Sequence, residues 1–369
     1  MKLKNTISWL MGRVQKSLFP HLNQCLPAPL TVQEEQLVTI LEIVQIERYV
    51  PKYIANYRYP GRKPVDRQAL ARAFVAKAYY RLPTTIDLRR TLLSCVNLRR
   101  ICGFITADDV PSEATFSRAF SEFAAGSAGN LGHDALVEKY LSRELTGHIS
   151  RDSTAIAGRE KPAKKEPKAP KKPRKRGRPA KGEKRESPVE KRLDRQVNQS
   201  AEEAINELPT ACDRGTKKNA QGYTMSWNGY KLHLDTNDIG LPVSALVTSA
   251  SLHDSQAAIP LIKKTSEKVT YLYDLMDAAY DAKRIDQVSR SFGHVPIIDK
   301  NGRGNVALPM APHEAERYKI RSSAERANSR LKEHFGASNV MVRGHAKVTL
   351  HLMIGVIVLF ADQLMKLIG

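Results

Sequence analysis

Residues 318–332 read YKIRSSAERANSRLK, inside a helix that the sequence predicts from about Pro312 to His334. Four polar side chains of this helix follow one another at offsets of 3, 4 and 7 residues: Tyr318, Arg321, Glu325 and Lys332. At about 3.6 residues per turn, such offsets bring all four to one helical face. A stripe of this composition is poor core material. It indicates either a solvated face, stabilised by an Arg–Glu pair four residues apart, or a functional face.

Upstream of this helix, after Gly147, the apolar pattern changes from a helical to a strand period. The pattern predicts strands at 148–157, 227–235, 241–249, 269–275 and 295–298. It predicts helices at about 254–264 and 281–291, and a last helix from about Ala346 to Leu367. Strands followed by strand–helix units and a closing helix indicate an α/β fold with a mixed sheet flanked by helices.

The first part of the chain, residues 31–148, has a helical pattern and predicts a small all-α domain. Helices are expected at about 69–80 and 87–102, with Gly103 as a stop, and another begins near Pro111. The last carries Phe116, Phe120 and Phe123 at helical spacing. This domain either packs or recognises DNA ends, because a helix count alone does not identify a recognition helix. We place it at 1–147.

Charge is the unusual feature of the composition. The 369 residues carry a net charge of +21, with a pI near 9.8. From Arg159 to Arg185 the chain has 14 Lys and Arg against 3 Glu, a surplus of 14 − 3 = 11. Such a run repels itself and buries little, so we expect a disordered basic linker at about 158–224. The excess predicts a polyanionic partner, most commonly nucleic acid.

Several classes of protein receive no support. The four cysteines form no C-x-x-C pair, which indicates a reduced, intracellular chain without a zinc knuckle. The apolar stretch Val348–Phe360 is shorter than the ~20 residues of a membrane span, so a buried helix is expected. Neither a Walker-type loop nor an H-E-x-x-H motif occurs.

Carboxylates that could converge at one sheet edge are the candidates for metal-dependent phosphodiester chemistry. Asp152 lies in the first strand, Asp277 follows the strand 269–275, and Glu325 is on the striped helix. Mg²⁺ prefers such oxygen ligands, and two ions about 4 Å apart can serve both the attacking and the leaving oxygen. Asp274 remains an alternative to Asp277. Asp254 and Asp281 are interpreted as helix N-caps.

The motifs resemble those of the bacterial insertion-sequence transposases with a DDE triad on an RNase H-like fold. Their third acid lies in a signature of Tyr, two residues, Arg, three residues, Glu, six residues and Lys, which Tyr318–Lys332 matches without a gap. The other two motifs resemble Met276-Asp277-Ala278-Ala279-Tyr280-Asp281 and Arg151-Asp152-Ser153-Thr154. The resemblance spans nearly all of 148–369 and includes Trp227–His233 and Leu252–Ser255.

The resemblance implies a transposase that cleaves DNA at element ends and joins them to target DNA. It implies that Asp152, Asp277 and Glu325 hold two Mg²⁺ (or Mn²⁺) ions, and that Tyr318, Arg321 and Lys332 contact double-stranded DNA. A homodimer or higher assembly, without a membrane, is expected in a cytoplasmic, nucleoid-associated setting of bacterial type. A catalytically silent DNA-binding regulator and a stand-alone structure-specific nuclease remain alternatives.

The basic insertion between the first two strands departs from the simple family pattern. Within it a short motif resembles an AT-hook core: Arg176, Gly177, Arg178 and Pro179. In such a core, Gly permits close approach and Arg enters a narrow A·T minor groove. A nonspecific phosphate-binding segment explains the same composition.

Overall fold

The computed structural model describes residues 26, 28–52, 64–164, 190–218, 221–302 and 309–368. The N-terminal part is helical, as predicted. Its helices are α1 (Val32–Val44), α2 (Arg67–Tyr79), α3 (Thr85–Ser94), α4 (Val96–Cys102), α5 (Glu113–Ala125) and α6 (Ala128–Leu141). Helix α5 begins after Ser112, and its three phenylalanines pack edge-on around Phe74 of α2.

The prediction of a single helix at about 87–102 was wrong, because the structure has two helices there. The chain takes an extended conformation at Cys95 and starts a second helix, α4, which ends at Gly103 with a left-handed φ of 102°. Arg99 of α4 explains the break, because its guanidinium donates to the carbonyls of Leu92 and Leu93 at 3.3 and 3.1 Å. These carbonyls lie at the end of α3 and would otherwise lack intrahelical partners.

A six-stranded mixed sheet forms the second part, as predicted. Its strands are β1 (Leu145–Ala157), β2 (Asp213–Lys218), β3 (Thr224–Thr236), β4 (Pro242–Ser249), β5 (Thr270–Met276) and β6 (Val295–Ile298). The order is β2-β3-β1-β5-β6, and β4 also pairs with β3. Strand β1 is central, antiparallel to β3 and parallel to β5. Each strand predicted from the sequence is confirmed, and β2 is additional.

Helices cover both faces of this sheet, which confirms the predicted fold class. They are α9 (Ser255–Ser266), α10 (Lys283–Ser291), α11 (Pro312–Tyr318), α12 (Ser322–His334) and α13 (His345–Ile368). Neighbouring residues of a strand point to opposite faces. Arg151 of β1 meets the α9 side, and Asp152 meets α12.

The C-terminal helix α13 joins the two parts of the chain. Residues 345–367 are long and apolar enough to cross a membrane by composition, but 72% of their most apolar window is buried inside the fold. Helix α13 packs against α6, α2, α5 and α1 as well as β4. The predicted buried C-terminal helix is confirmed. The sequence division at residue 147 had assigned this helix to the catalytic part, whereas its main partners are N-terminal helices.

The expected linker at about 158–224 is shorter than predicted. Two helices, α7 (Arg192–Asn198) and α8 (Ala201–Asn206), precede β2. The ammonium of Lys263 on α9 donates to the carbonyls of Gln196 and Val197 at 2.8 and 3.0 Å. These hydrogen bonds stabilise α7, and packing against α9 stabilises α8; both helices are too short to form alone. Residues 165–189 lie outside the described residues.

Candidate active site

The register of the central strands brings Asp152 and Asp277 to equivalent positions. Strands β1 and β5 pair in parallel up to Ser150 opposite Leu275. Two residues further along both strands come Asp152 and Asp277. Parallel strands lie about 4.8 Å apart, and residues in register point to the same face. The two carboxylates predicted from sequence therefore lie side by side where the strands separate.

Asp152 is a half-buried carboxylate held from the facing helix. Its Oδ2 accepts a hydrogen bond from the Nδ2 of Asn328 on α12 at 3.0 Å. Burial raises the pKa of Asp152 to about 6, although Asn328 and Arg321 lower it, and the charge of Asp277 raises it further. A carboxylate with such a pKa lacks sufficient positive charge nearby. This is the environment that a bound cation would stabilise.

Asp277 ends β5 and caps the short 3₁₀ turn Ala278–Tyr280, since its Oδ1 accepts from the backbone N–H of Ala279 at 2.9 Å. Burial raises its pKa, and the Ala279 N–H lowers it in part. The hydroxyl of Tyr280 is fully buried beneath the site without a hydrogen-bond partner among the described residues. The carboxylates of Asp254, Asp152 and Asp277 add to the effect of burial and raise the pKa of Tyr280.

Asp274, the alternative to Asp277, belongs to the opposite face of the sheet. It is fully buried, accepts from the hydroxyl of Ser289 at 2.5 Å, and lies 3.6 Å from the guanidinium of Arg151. Arg151 in turn forms a two-pronged ion pair with Asp235 at 2.8 and 2.7 Å. This buried network ties the sheet to α9 and α10 and gives Asp274 a structural role.

The prediction of one continuous helix at 312–334 was wrong in one respect, because the helix is interrupted. A 3₁₀ turn, Lys319–Arg321, separates α11 from α12. With three residues per turn, the side chains of Tyr318 and Arg321 are aligned one turn apart. The guanidinium carbon of Arg321 accordingly lies 5.5 Å from the centre of the Tyr318 ring.

Arg321 links the three candidate acids. Its guanidinium forms an ion pair with Glu325 one turn later and lies 3.9 Å from Asp152. Burial lowers the pKa of Arg321, but Tyr318, Glu325, Asp152 and Asp277 together raise it. Glu325 is 54% exposed, so its carboxylate can turn from Arg321 towards the two strand acids.

Lys332 and Lys217 add positive charge at the rim of the site. Burial lowers the pKa of Lys332, and the neighbouring ammonium of Lys217 lowers it further, while Asp152 raises it. Lys217 also lowers the pKa of Asp277. Sequence reasoning missed Lys217, because its strand β2 had been assigned to the linker. It also missed Asn328, although Asn328 follows Glu325 by three residues on the same helix.

The two remaining motifs have structural roles next to the site. Asp254 occupies the predicted N-cap position of α9, but its side chain makes no capping hydrogen bond there. It forms an ion pair with Lys231 at 2.8 Å and thereby joins α9 to β3. Asp281 does not cap α10 either, since the N-cap position is Ala282, and Asp281 accepts from the backbone N–H of Asn301 at 3.2 Å.

The donor chemistry of the site suits a hard divalent cation. The three acids offer oxygen ligands, and the raised pKa values of Asp152 and Asp277 indicate uncompensated burial. Throughout the described ranges, no three His, Cys, Asp or Glu side chains are already grouped as a metal site. In this arrangement the carboxylate of Glu325 is paired with Arg321.

Comparisons with known families identify the chain. The family described as "Transposase DDE domain" matches residues 197–361, and the "Transposase domain (DUF772)" matches residues 26–122. The first match contains Asp277 and Glu325, whereas Asp152 precedes it. No curated protein and no solved structure matches the chain. The chain belongs to the insertion-sequence DDE transposases, a family that typically binds DNA and uses divalent metal ions.

Proposed function

We propose that this protein is an active transposase that cleaves DNA at the ends of its element and transfers the freed strand into target DNA. The catalytic residues are Asp152, Asp277 and Glu325. The single observation that carries the proposal is the convergence of these acids from β1, β5 and α12 on the guanidinium of Arg321. Burial raises the pKa of Asp152 and Asp277, which a bound divalent cation would counteract, and the exposed Glu325 pairs with the arginine that lies beside Asp152.

The three acids would hold two divalent ions, Mg²⁺ or Mn²⁺, through carboxylate oxygens. When bound, such ions activate the attacking oxygen and stabilise the leaving one. Asn328 fixes one oxygen of Asp152 and leaves the other for a ligand. Arg321 offsets part of the charge of Glu325 and Asp152, and it would be free to contact a phosphate if divalent ions were held by the acids.

Double-stranded DNA from the element end and from the target would approach along the α11–α12 side. Arg321 and Lys332 would bind its phosphates, which suits their charge, and Tyr318 would pack against the sugar or the last base pair. Lys217 reaches the same acids from β2 and extends this cationic rim. The protein would act in the cytoplasm on nucleoid DNA, as a homodimer or higher assembly on paired ends.

The test is cleavage of DNA that carries the element's inverted repeats, with Mg²⁺ and with a chelator. Asp152→Ala, Asp277→Ala and Glu325→Ala should each abolish cleavage and leave DNA binding largely intact. Glu333→Ala is the matched control, since Glu333 lies on the same helix and its carboxylate accepts a hydrogen bond from the hydroxyl of Ser329. Cleavage by any of the three variants at near the wild-type rate would remove that residue from the site.

Arg321→Ala and Lys332→Ala should weaken binding at the end of the DNA and slow cleavage. Footprints at the last base pairs measure this effect directly. Footprints identical to those of the wild type would exclude the contact. Lys319→Ala is a suitable control, because Lys319 is exposed and pairs with Glu316.

The basic segment Arg159–Arg185 would supply sequence-independent affinity. Phosphate contacts give a log–log salt slope of about −0.9 per neutralised phosphate. Deleting 161–185 should therefore flatten the slope and weaken random and specific DNA alike. A larger loss for A·T-rich duplexes would favour minor-groove reading by Arg176, Gly177, Arg178 and Pro179, which lie outside the described residues. An unchanged slope would contradict both roles.

A further inference from the structure

A cleft of about 880 Å³ lies between the N-terminal helices and the segment that joins α12 to α13. The end of α2 and the turn into α3 line one side, and residues 336–347 line the other. Buried apolar side chains line its base: Phe74, Phe120 and Ile354. The proposed active site uses none of these residues.

Five of the lining side chains are cations: Lys77, Arg81, Arg159, Arg343 and Lys347. The lining carries one acid, Glu113, so its charges sum to 5 − 1 = +4. None of the five cations is ion-paired with a carboxylate in the part of the chain that the structure describes. Burial lowers the pKa of Lys77 to about 8, and Asp87 raises it only in part. The cations therefore repel one another, and an anionic ligand would stabilise the cleft.

Arg81 occupies a backbone position that favours glycine. Its φ is 56°, and it ends α2 in a motif where the N–H of Leu82 returns to the carbonyl of Lys77 at 2.9 Å. Glycine is the usual residue at this position after a helix, because a side chain there is strained. An arginine at this position places a positive charge beside the cleft, although glycine would relieve the backbone strain.

We propose that this cleft binds a single strand of DNA, with its phosphates on the five cations and its base faces against the apolar base. Single-strand sites combine these two features, whereas a duplex keeps its base faces stacked inside. The inference rests on the proposed function, since it supposes a DNA strand at the acids.

The chain connects the cleft to the acids along two elements. Arg159 follows Asp152 by seven residues along β1 and the residues after it, about 23 Å of extended chain. Residues 336–347 follow directly from α12, which carries Glu325 and Lys332. This spacing puts the cleft within about 23 Å of chain from the acids, so a DNA strand separated from its complement beside the acids would have a short distance to span.

The test measures binding of a fluorescent oligothymidine of about ten nucleotides, within the range of one single-strand site. Fluorescence anisotropy of the full chain, in a chelator and at several salt concentrations, keeps binding separate from cleavage. The variants are Arg81→Gly, Lys347→Ala and the double variant. The matched control is Lys366→Ala, about 28 Å away along the same helix and paired with Asp362.

The double variant should bind the oligothymidine more weakly, with a salt slope shallower by about 0.7 for each lost phosphate contact. Duplex affinity should change much less, and Lys366→Ala should match the wild type. Arg81→Gly should keep or raise the melting temperature, which excludes misfolding as the cause.

An unchanged oligothymidine affinity and slope in the double variant would overturn the proposal, and so would equal losses for single strand and duplex. Either result leaves the proposed catalytic function intact, because cleavage is not measured. Conversely, if Asp152→Ala still cleaves while the double variant loses single-strand binding, the catalytic assignment fails and the cleft stands.

Discussion

At the scale of single residues, the ionisation of Asp152 connects stability with activity. Its pKa is raised from 3.8 to about 6 by burial, so the folded protein holds a proton there more tightly than the unfolded chain does. Stability from this group is therefore greatest below pH 4 and declines as the pH rises to about 6. Metal binding requires the opposite, ionised form. At neutral pH the ionised carboxylate of Asp152 therefore lowers the stability of the metal-free protein.

Asp152→Asn should stabilise the metal-free protein at pH 7 by about 1 to 3 kcal/mol, because it removes a poorly compensated buried charge. It should also abolish cleavage. Urea unfolding at pH 4 and pH 7, in a chelator, measures the first effect. The stability difference between variant and wild type should shrink at pH 4. A variant less stable than the wild type at pH 7 would contradict the assigned electrostatics.

Asn328 lowers the pKa of Asp152 through its amide, which makes it a positioning residue. Asn328→Ala should raise that pKa and move the acidic limb of the pH–cleavage profile to higher pH. Asn328→Gln tests whether a longer amide restores the profile. A uniform loss of rate at every pH, without a shift of the limb, would indicate a merely structural role.

Asp274 and Asp277 should differ in what their loss changes. Asp274→Ala removes a partner of the buried Arg151 and should reduce the free energy of unfolding by about 3 kcal/mol. Asp277→Ala should change stability little and abolish cleavage. Thermal unfolding of the two variants, with cleavage by Asp274→Asn as the activity control, separates the roles. Equal stabilities with cleavage lost only in the Asp274 variants would reverse the assignment.

At the scale of elements, the long strand β3 depends on one glycine. Gly229 has a φ of 148°, and a Cβ there would lie 2.2 Å from the carbonyl oxygen of Ile156 on β1. Only glycine allows β1 and β3 to approach this closely where β2 takes over the pairing. This explains why the Trp227–His233 motif contains a glycine.

Gly229→Ala should destabilise the protein by more than about 2 kcal/mol, since both the backbone conformation and the contact are strained. Gly222→Ala is the matched control. Gly222 also has a positive φ, 86°, but nothing lies within 4 Å of its added Cβ. The control should lose only about 1 kcal/mol. Urea unfolding that gave equal losses would show that steric contact with β1 is unimportant.

At the scale of the whole molecule, α13 packs against both the N-terminal helices and the sheet, so the two parts share one hydrophobic core. Gly129 on α6 allows the close contact, since a Cβ there would lie 2.7 Å from the Cβ of Met353 on α13. Buried residues of α13 also lie against β4. The N-terminal helices and the sheet therefore support each other, and they should unfold together.

Calorimetry of the wild type should show one unfolding transition that includes both parts. Gly129→Val should lower its midpoint and keep it single, because the wedge separates α6 from the shared helix. Gly126→Ala, whose added Cβ would have an ordinary 3.6 Å contact, is the control. Two resolved transitions in the wild type would contradict a common core.

Much of this protein follows from local sequence. Strand and helix periods predicted β1, β3, β4, β5, β6 and the buried helix α13, because each element's apolar pattern reflects the face that it buries. The spacing of Tyr318, Arg321, Glu325 and Lys332 also predicted their neighbourhood. The backbone stays helical from α11 through the 3₁₀ turn into α12.

Tertiary contacts decided the rest. Helix α7 forms within the expected linker because Lys263, distant in sequence, binds its carbonyls, and α8 forms there because it packs against α9. The pairing of β1 with β5 gives Asp277 and Asp274 different neighbours. Asp277 follows the last paired residues of the two strands and lies beside Asp152, whereas Asp274 is buried against Arg151. The cationic cleft needs α2 and the segment 336–347 side by side. Local sequence cannot encode such neighbours, because they are set by which faces pack together when the whole chain folds.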